Sequence, residues 1–362
     1  MTQQTYAYEP DYAVPPGLVL EEHLESRGLS QAEFARRCGR SPKLISEIIA
    51  GKARLVPETA LQFERVLGVD ASIWLNIEST YQIHARREAE AKAAKAHLDW
   101  AKQFPIKELV RREIITPAQD TADYVPRLLA FLGVASVETW NSRVAAAQVQ
   151  YRHSPSFESG EAVLAAWLRL GELEAKKQQC ATFNMPKTRE ALRQIRTLTR
   201  QTTDSAMAAA KEALNAAGIA LVVVKPFSGM SVNGATWWLS PQKAVILLTL
   251  RGMTNDHVWF SLFHEAAHIL LHSKRLVFVE SRNGPGDELE QEADKWAANT
   301  LIGPAAWSRF VNEDDFTAPA VKRFADRQGI APCIVAGRLQ HEKLVPYNRL
   351  NGLKERLEWT QA

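Results

Sequence analysis

The chain reads as a multidomain protein, mostly α with a smaller α+β part. Three observations predict this. Short helices with serine caps crowd residues 17–83, helical periodicity continues to about residue 201, and continuous apolar runs that read as strands appear only after Thr202. The expected parts are 1–83, an all-α helix-turn-helix domain; 84–201, a helical connecting region; and 202–362, an α+β domain.

Within the first part, Ser30 with Glu33 forms a capping box, the serine accepting an early helix N–H and the glutamate reaching back. Phe34 and Ala35 follow, and Gly39 stops this helix after about two turns. Ser41 caps the next helix, with Pro42 at its first position, where a missing N–H costs nothing. Leu44, Ile45, Ile48 and Ile49 give it a buried stripe. Two short helices joined by a glycine turn describe a helix-turn-helix.

In the middle part, "HARREAEAKAAKAH" lacks a sustained apolar stripe and reads as an exposed connecting helix. The stretches "FESGEAVLAAWLRLGELEAKKQQC" and "TREALRQIRTLTRQ" are amphipathic helices without chemistry of their own, so the region is expected to be a spacer or docking platform. In the last part, "GIALVVVKPF" reads as a buried strand, "GATWWLSPQKAVILLTL" as two strands around a Ser-Pro-Gln-Lys turn, and "RLVFVE" as a further strand. The helices "WFSLFHEAAHILLHS" and "DELEQEADKWAANTLIG" are expected on one side of that small sheet.

Composition narrows the function. The hydrophobic fraction of 46% is ample for packed cores, and a net charge of only +3 means that any nucleic-acid contact must come from a local patch. Cys38, Cys180 and Cys333 are far apart with no CxxC pair, which disfavours a disulfide framework and a thiolate metal site and fits a reducing cytosol. The N-terminus lacks a basic region followed by an apolar core, and the apolar stretches are broken well short of a span. A cytoplasmic protein without a membrane partner is expected.

Chemistry concentrates in "HEAAH". His264 and His268 stand at i and i+4, so both imidazoles leave one helical face, and Glu265 follows the first. HExxH on a helix is the zincin signature: two neutral imidazoles on one Zn2+ and a glutamate as general base. Chance alone produces this short motif in some chains, so a third ligand has to be found elsewhere. His272 is a poor one, because an unbroken helix rises about 12 Å over eight residues whereas ligands sit about 2 Å from the metal, and it is expected instead to end the helix or to support a ligand from behind. Glu290 suits better: with Asp294 at i+4 it shares a face with Ala293 and Ala297, whose small side chains allow close approach. Glu290 would then ligate the metal while Asp294 orients a ligating histidine through its other ring nitrogen. Glu292, about 200° round the helix, is the runner-up. Two histidines and a glutamate leave one zinc position open, the catalytic arrangement. The metal would acidify a water and polarise a scissile carbonyl while Glu265 takes the water proton and passes it to the leaving amine. An oxyanion stabiliser could come from His341, Arg338 or Tyr347, and His341 is expected to serve beside Glu265 as the second catalytic residue.

Two resemblances rest on these motifs. The stretch Val14–Ile83, with "GLSQAEFARRCGRS", "IIAGKARLVPETALQFERVLGV" and "WLN", resembles the helix-turn-helix (XRE-like) domain of HigA-type antitoxins. The stretch from about Thr202 to Gln340 resembles the ImmA/IrrE metallopeptidases through "WFSLFHEAAHILLH", "ELEQEADKWAANTLIGP" and, less specifically, "VKRFADRQGIAPCIVAGRLQ". The second resemblance implies a single-zinc endopeptidase that cleaves a transcriptional repressor or antitoxin, with His264, His268 and Glu290 as ligands and Glu265 as base. Trp296 stands where phenylalanine is usual, a conservative departure.

The helix beginning at Ser41 is expected in the major groove, with Ser41, Pro42, Lys43 and Ser46 facing bases. Gln31, Arg40, Lys52 and Arg54 are expected on phosphates, and a homodimer on two operator half-sites is expected. Glu21, Glu22 and Glu25 weaken any broad positive face. The expected function is a DNA-binding regulator with a working zinc endopeptidase acting on a repressor or antitoxin, the chain itself being a further candidate substrate. The competing reading is an antitoxin-like repressor whose zincin domain is a non-catalytic sensor or docks a cognate toxin. The intact HExxH favours turnover, because a docking module has no need of Glu265.

Overall fold

The computed structural model describes residues 13–150, 160–250, 254–272, 278–281 and 288–357. It divides into two compact units, Met1–Leu98 and Asp99–Ala362.

The first unit consists of α1 (Pro16–Ser26), α2 (Gln31–Arg37), α3 (Pro42–Ile49), α4 (Pro57–Leu67) and α5 (Ala71–Ala94). Ser30 Oγ accepts the Glu33 N–H at 3.2 Å and Ser41 Oγ accepts the Leu44 N–H at 3.2 Å, so both serine caps form. The Glu33 carboxylate does not complete a capping box in the expected way. It is held by Arg37 at 2.8 Å and Arg36 at 2.5 Å, because guanidinium groups one turn away offer charge as well as donors. Gly39 ends α2 at φ +65°, a conformation that costs a side-chain-bearing residue about 1 kcal/mol or more. The core closes over Leu20, Phe34, Ile45, Ile48, Phe63 and Trp74. Its aromatic rings meet edge to face, Phe34–Phe63 at 4.9 Å and Phe63–Trp74 at 5.6 Å. Helix α5 continues without interruption past residue 83, and the residues of its distal half are mostly exposed.

The second unit adds α6 (Leu98–Ala101), α7 (Ile106–Arg111), α8 (Tyr124–Leu132), α9 (Val137–Gln150), α10 (Glu161–Lys177), α11 (Met185–Leu198) and α12 (Thr203–Ala216). The strands are β1 (Ile219–Val223), β2 (Val232–Ser240), β3 (Lys243–Leu248) and β4 (Phe278–Ser281). Helices α13 (Asn255–Leu271), α14 (Glu288–Leu301), α15 (Pro304–Asn312), α16 (Ala318–Gln328) and α17 (Pro332–His341) complete it. The strand order is β1-β3-β2-β4, with β1 parallel to β3 and both β3 and β4 antiparallel to β2. The expected strands therefore form; residues 275–277 at the start of "RLVFVE" lie outside the described residues.

Pleating sends Ile219, Leu221, Ile246 and Leu248 into one core with Trp259, Leu262, Phe263 and Ala266 of α13. The other face is covered as well. A Cβ on Gly171 of α10 would lie 2.5 Å from Cδ2 of Leu247 and 3.1 Å from the Trp237 ring, so the glycine lets α10 press onto the sheet. Trp167 of α10 donates its indole N–H to the Val224 carbonyl at 3.1 Å, and Lys243 Nζ reaches the Ala175 carbonyl near the end of α10 at 2.7 Å. Part of the 84–201 segment is thus built into the second unit.

Helix α13 is buried almost all round, which suits its apolar composition. Its N-terminal end is fixed by a buried ion pair, Asp256 to Lys354 Nζ at 2.6 Å. Gly337 of α17 makes room for that carboxylate, since a Cβ there would fall 2.5 Å from Asp256 Oδ2. No helix among the described residues is long and apolar enough to cross a membrane.

Candidate functional site

Helix α14 packs along α13 through Ala293 and Ala297, both fully buried, and this places its first turns beside the histidines. His264 and His268 are each 2% exposed, and their Nε2 atoms lie 3.0 Å apart. Glu290 brings Oε2 to 3.0 Å from His264 Nε2 and Oε1 to 3.5 Å from His268 Nε2. One ligand atom from each of the three side chains falls within 4.8 Å of the others, a grouping able to hold a metal ion. Asp294 stands behind, with Oδ1 2.8 Å from His264 Nδ1.

The donor set fits a zinc ion. A carboxylate only accepts, so His264 donates Nδ1–H to Asp294; in the neutral form its Nε2 then turns a lone pair toward Glu290 and His268. A lone pair and a carboxylate brought together in a buried place repel unless a cation lies between them. The electrostatics agree. Burial outweighs the pull of Glu290 and pushes His268 down to about 4, which leaves its ring neutral near pH 7. Burial opposes ionisation of Glu290, yet the polar contacts with His264 and His268 overcome it and hold its carboxyl at about 2.

Glu265 is completely buried, one residue along from His264. Its carboxylate lies over Gly234 of β2, where a Cβ would come within 2.6 Å of Oε1. Thr236 Oγ1 donates to the Glu265 backbone carbonyl at 3.3 Å. These two β2 residues were not legible as site residues, because nothing in a strand sequence marks which helix will lie against it.

His272 is no part of the three-ligand group; it ends α13 and has Nδ1 2.8 Å from His268 Nδ1. Glu292 reaches His272 Nε2 at 3.3 Å rather than the group. Arg338 is committed elsewhere, donating to the Ala298 and Ile302 carbonyls at 3.1 Å each and lying over the Trp307 ring. Tyr347 is 63% exposed. His341 is exposed, with its ring 6.4 Å from Phe260, whose ring is in turn 6.3 Å from His264. Asp294, Phe260 and His341 border one cavity of about 420 Å³ between α13, α14 and α17, floored by Ala298, Ile302 and Ile334.

In the first unit, Gln31, Ser41, Pro42, Lys43, Ser46, Lys52 and Arg54 are all exposed on α2, α3 and the turn after α3. Arg40 is different. Its Nε donates to Gln62 at 2.6 Å and its guanidinium pairs with Glu58 at 2.9 Å, so it ties the turn before α3 to α4. Lys43 lies 3.8 Å from Glu47 and remains 84% exposed.

Residues 20–74 match the helix-turn-helix family, and residues 215–316 match the IrrE N-terminal-like domain. Through its N-terminal unit the chain belongs to the helix-turn-helix transcriptional regulators, here joined to a metallopeptidase-like domain. Among curated relatives it is 34% identical over 68 residues to the uncharacterized HTH-type transcriptional regulator YddM of Escherichia coli (strain K12), covering 19% of this chain and 72% of that protein. It is 38% identical over 72 residues to virulence-associated protein I of Dichelobacter nodosus, covering 20% of this chain and 67% of that one. Two solved structures are also similar. One is an addiction module antidote protein of a HigA family from Coxiella burnetii, at 23% identity, 23% of this chain, 91% of that chain and TM-score 0.22. The other is PA4674 of Pseudomonas aeruginosa in complex with its operator DNA, at 22% identity, 24% of this chain, 94% of that chain and TM-score 0.23.

Proposed function

We propose that the protein is a cytoplasmic, DNA-binding transcriptional regulator whose second unit is a zinc-dependent endopeptidase acting on a repressor or antitoxin. The observation that carries this reading is the convergence of His264 Nε2, His268 Nε2 and a Glu290 oxygen within 4.8 Å, next in sequence to the buried Glu265. His264, His268 and Glu290 hold one zinc ion, and Asp294 fixes the His264 ring. When bound, zinc supplies Lewis-acid polarisation of a peptide carbonyl and acidifies water. Glu265 takes the proton of the attacking water and hands it to the leaving amine. With Arg338 committed to carbonyls, His341, which borders the same cavity as Phe260 and Asp294, has the role of stabilising the developing oxyanion. His341→Ala then lowers kcat about 100-fold or more with zinc content unchanged, as removal of an oxyanion donor does; loss of zinc together with rate would remove it from that role.

The α3 face supplies the operator contact, through Ser41, Pro42, Lys43 and Ser46 toward bases and Gln31, Lys52 and Arg54 toward phosphates, in a homodimer on two half-sites. The test of the protease is profiling of new protein N-termini in cells expressing wild type or Glu265→Gln, with zinc measured in both purified proteins. Cleavage products in wild type only, at equal zinc, support turnover and identify the substrate. Equal zinc with identical N-terminal profiles rejects it.

A further inference from the structure

We propose that His272 is a positioning residue of the metal centre, the middle member of a relay from Glu292 through His272 to His268 that holds His268 in its cation-binding tautomer. The inference rests on the reading of His264, His268 and Glu290 as a zinc site. The His272 backbone leaves α13 in an extended conformation, φ −108° and ψ 171°. Its N–H still reaches the His268 carbonyl at 3.1 Å, so the ring is brought back over the last turn. The His272 side chain is 3% exposed, whereas that of Glu292 is 58% exposed.

The proton positions follow from the exposed end inward. A carboxylate has no proton to give, so Glu292 Oε2, at 3.3 Å, accepts from His272 Nε2–H. A neutral imidazole carries one N–H, which leaves His272 Nδ1 as an acceptor. Across the 2.8 Å contact, His268 Nδ1 must then donate, and its Nε2 is left with the lone pair a metal needs. Reversing the tautomer of His268 would turn a His272 lone pair onto the Glu292 carboxylate. Phe278 of β4 holds the ring itself, stacked on His268 with centroids 3.9 Å apart and planes 16° apart. The two ligating histidines are thus oriented by different devices, His264 directly by Asp294 and His268 through a second imidazole. One helix, α14, supplies the ligating Glu290 and both orienting carboxylates.

The full-length protein tests this by chelator competition for zinc, comparing wild type, His272→Phe, Glu292→Ala and the double variant. Orienting partners of ligands typically matter by about 10–100-fold in metal affinity, and His272→Phe is expected in that range. Glu292→Ala is expected to show a smaller loss, and the double variant should bind zinc as His272→Phe does, within about twofold, since Glu292 acts only through His272. Nitrogen NMR of labelled histidine should show protonated His268 Nδ1 in wild type and a mixture of tautomers in Glu292→Ala. Wild-type affinity in His272→Phe, or independent losses that multiply in the double variant, would overturn the relay. Glu292→Ala alters an exposed side chain, so it stays informative even if His272→Phe folds poorly. A wild-type protein without zinc affinity would instead reject the metal centre itself.

Discussion

A Cβ at Gly234 would lie 2.6 Å from Glu265 Oε1, so even one added methyl group must displace the carboxylate proposed as the base. Gly234→Ala is expected to cost about 1–3 kcal/mol through overpacking and to abolish cleavage of the identified substrate while zinc content stays at the wild-type level. Thermal unfolding, zinc analysis and cleavage assays on the same preparation check this, and full cleavage activity would show that Glu265 needs no such space. The contrast with His264, Glu265 and His268 explains what a sequence discloses. Their 0, 1, 4 spacing carries its geometry within one helix, whereas Gly234 acts across 31 residues of chain and has no side chain to announce it. The cysteines give a separate prediction at this scale. Burial pushes Cys333 up to about 12 and Cys38 up to about 11, and the thiolate is the nucleophile, so neither should react with Ellman's reagent at pH 8 in the native protein. In guanidinium all 3 cysteines should react. Because the folded values lie above the unfolded one of about 8.5, folding retains their protons, and their contribution to stability is lost as pH climbs from that value through 11 and 12. Rapid native labelling of Cys333 would contradict its burial.

At the scale of elements, α14 shows how far helical periodicity reaches. The i, i+4 spacing of Glu290 and Asp294 beside Ala293 and Ala297 foretells a face turned to α13, and both carboxylates meet His264 there. The same periodicity gives Glu292 no partner, because its partner is His272, where the chain has already left the helical path of another element. In α2 and α3 the caps were legible from serine placement, but the partners of Glu33 and Arg40 were not, since competition among nearby charges decides them. Arg40 and Lys52 therefore separate in experiment. Arg40→Ala removes hydrogen bonds worth about 1–3 kcal/mol with a charged partner and should lower the stability of the first unit, leaving the salt dependence of operator binding nearly unchanged. Lys52→Ala and Arg54→Ala should leave stability alone and each reduce the slope of log affinity against log salt by about 1. Urea denaturation and gel shifts across a salt series on the chain's own promoter measure the two quantities. A salt slope that falls for Arg40→Ala as for Lys52→Ala would return Arg40 to the phosphates.

For the whole molecule, the change of sequence texture at Thr202 and the packing of the sheet lead to different fragments. The texture changes where strands begin, because strand-forming runs are local. Cover for the far face of the sheet comes from α10, more than 40 residues earlier than β1, and no local pattern links the two. Val245 and Leu247 are fully buried, Leu247 by an approach so close that a side chain at position 171 would have to displace it. A fragment spanning 202–362 would leave that face to water, and an apolar sheet face without cover is an association surface. A fragment spanning 99–362 keeps α10 with its Trp167 and Lys243 hydrogen bonds, and keeps α11 in the main core. It is expected to be soluble and to unfold in one cooperative transition with zinc bound, whereas 202–362 is expected to aggregate or to lack that transition. Size-exclusion chromatography, calorimetry and zinc analysis on both fragments decide the matter. Should 202–362 prove monomeric, cooperative and equally able to hold zinc, α10 would be an accessory cover, and the metal centre would depend only on what lies between β1 and the Lys354–Asp256 ion pair.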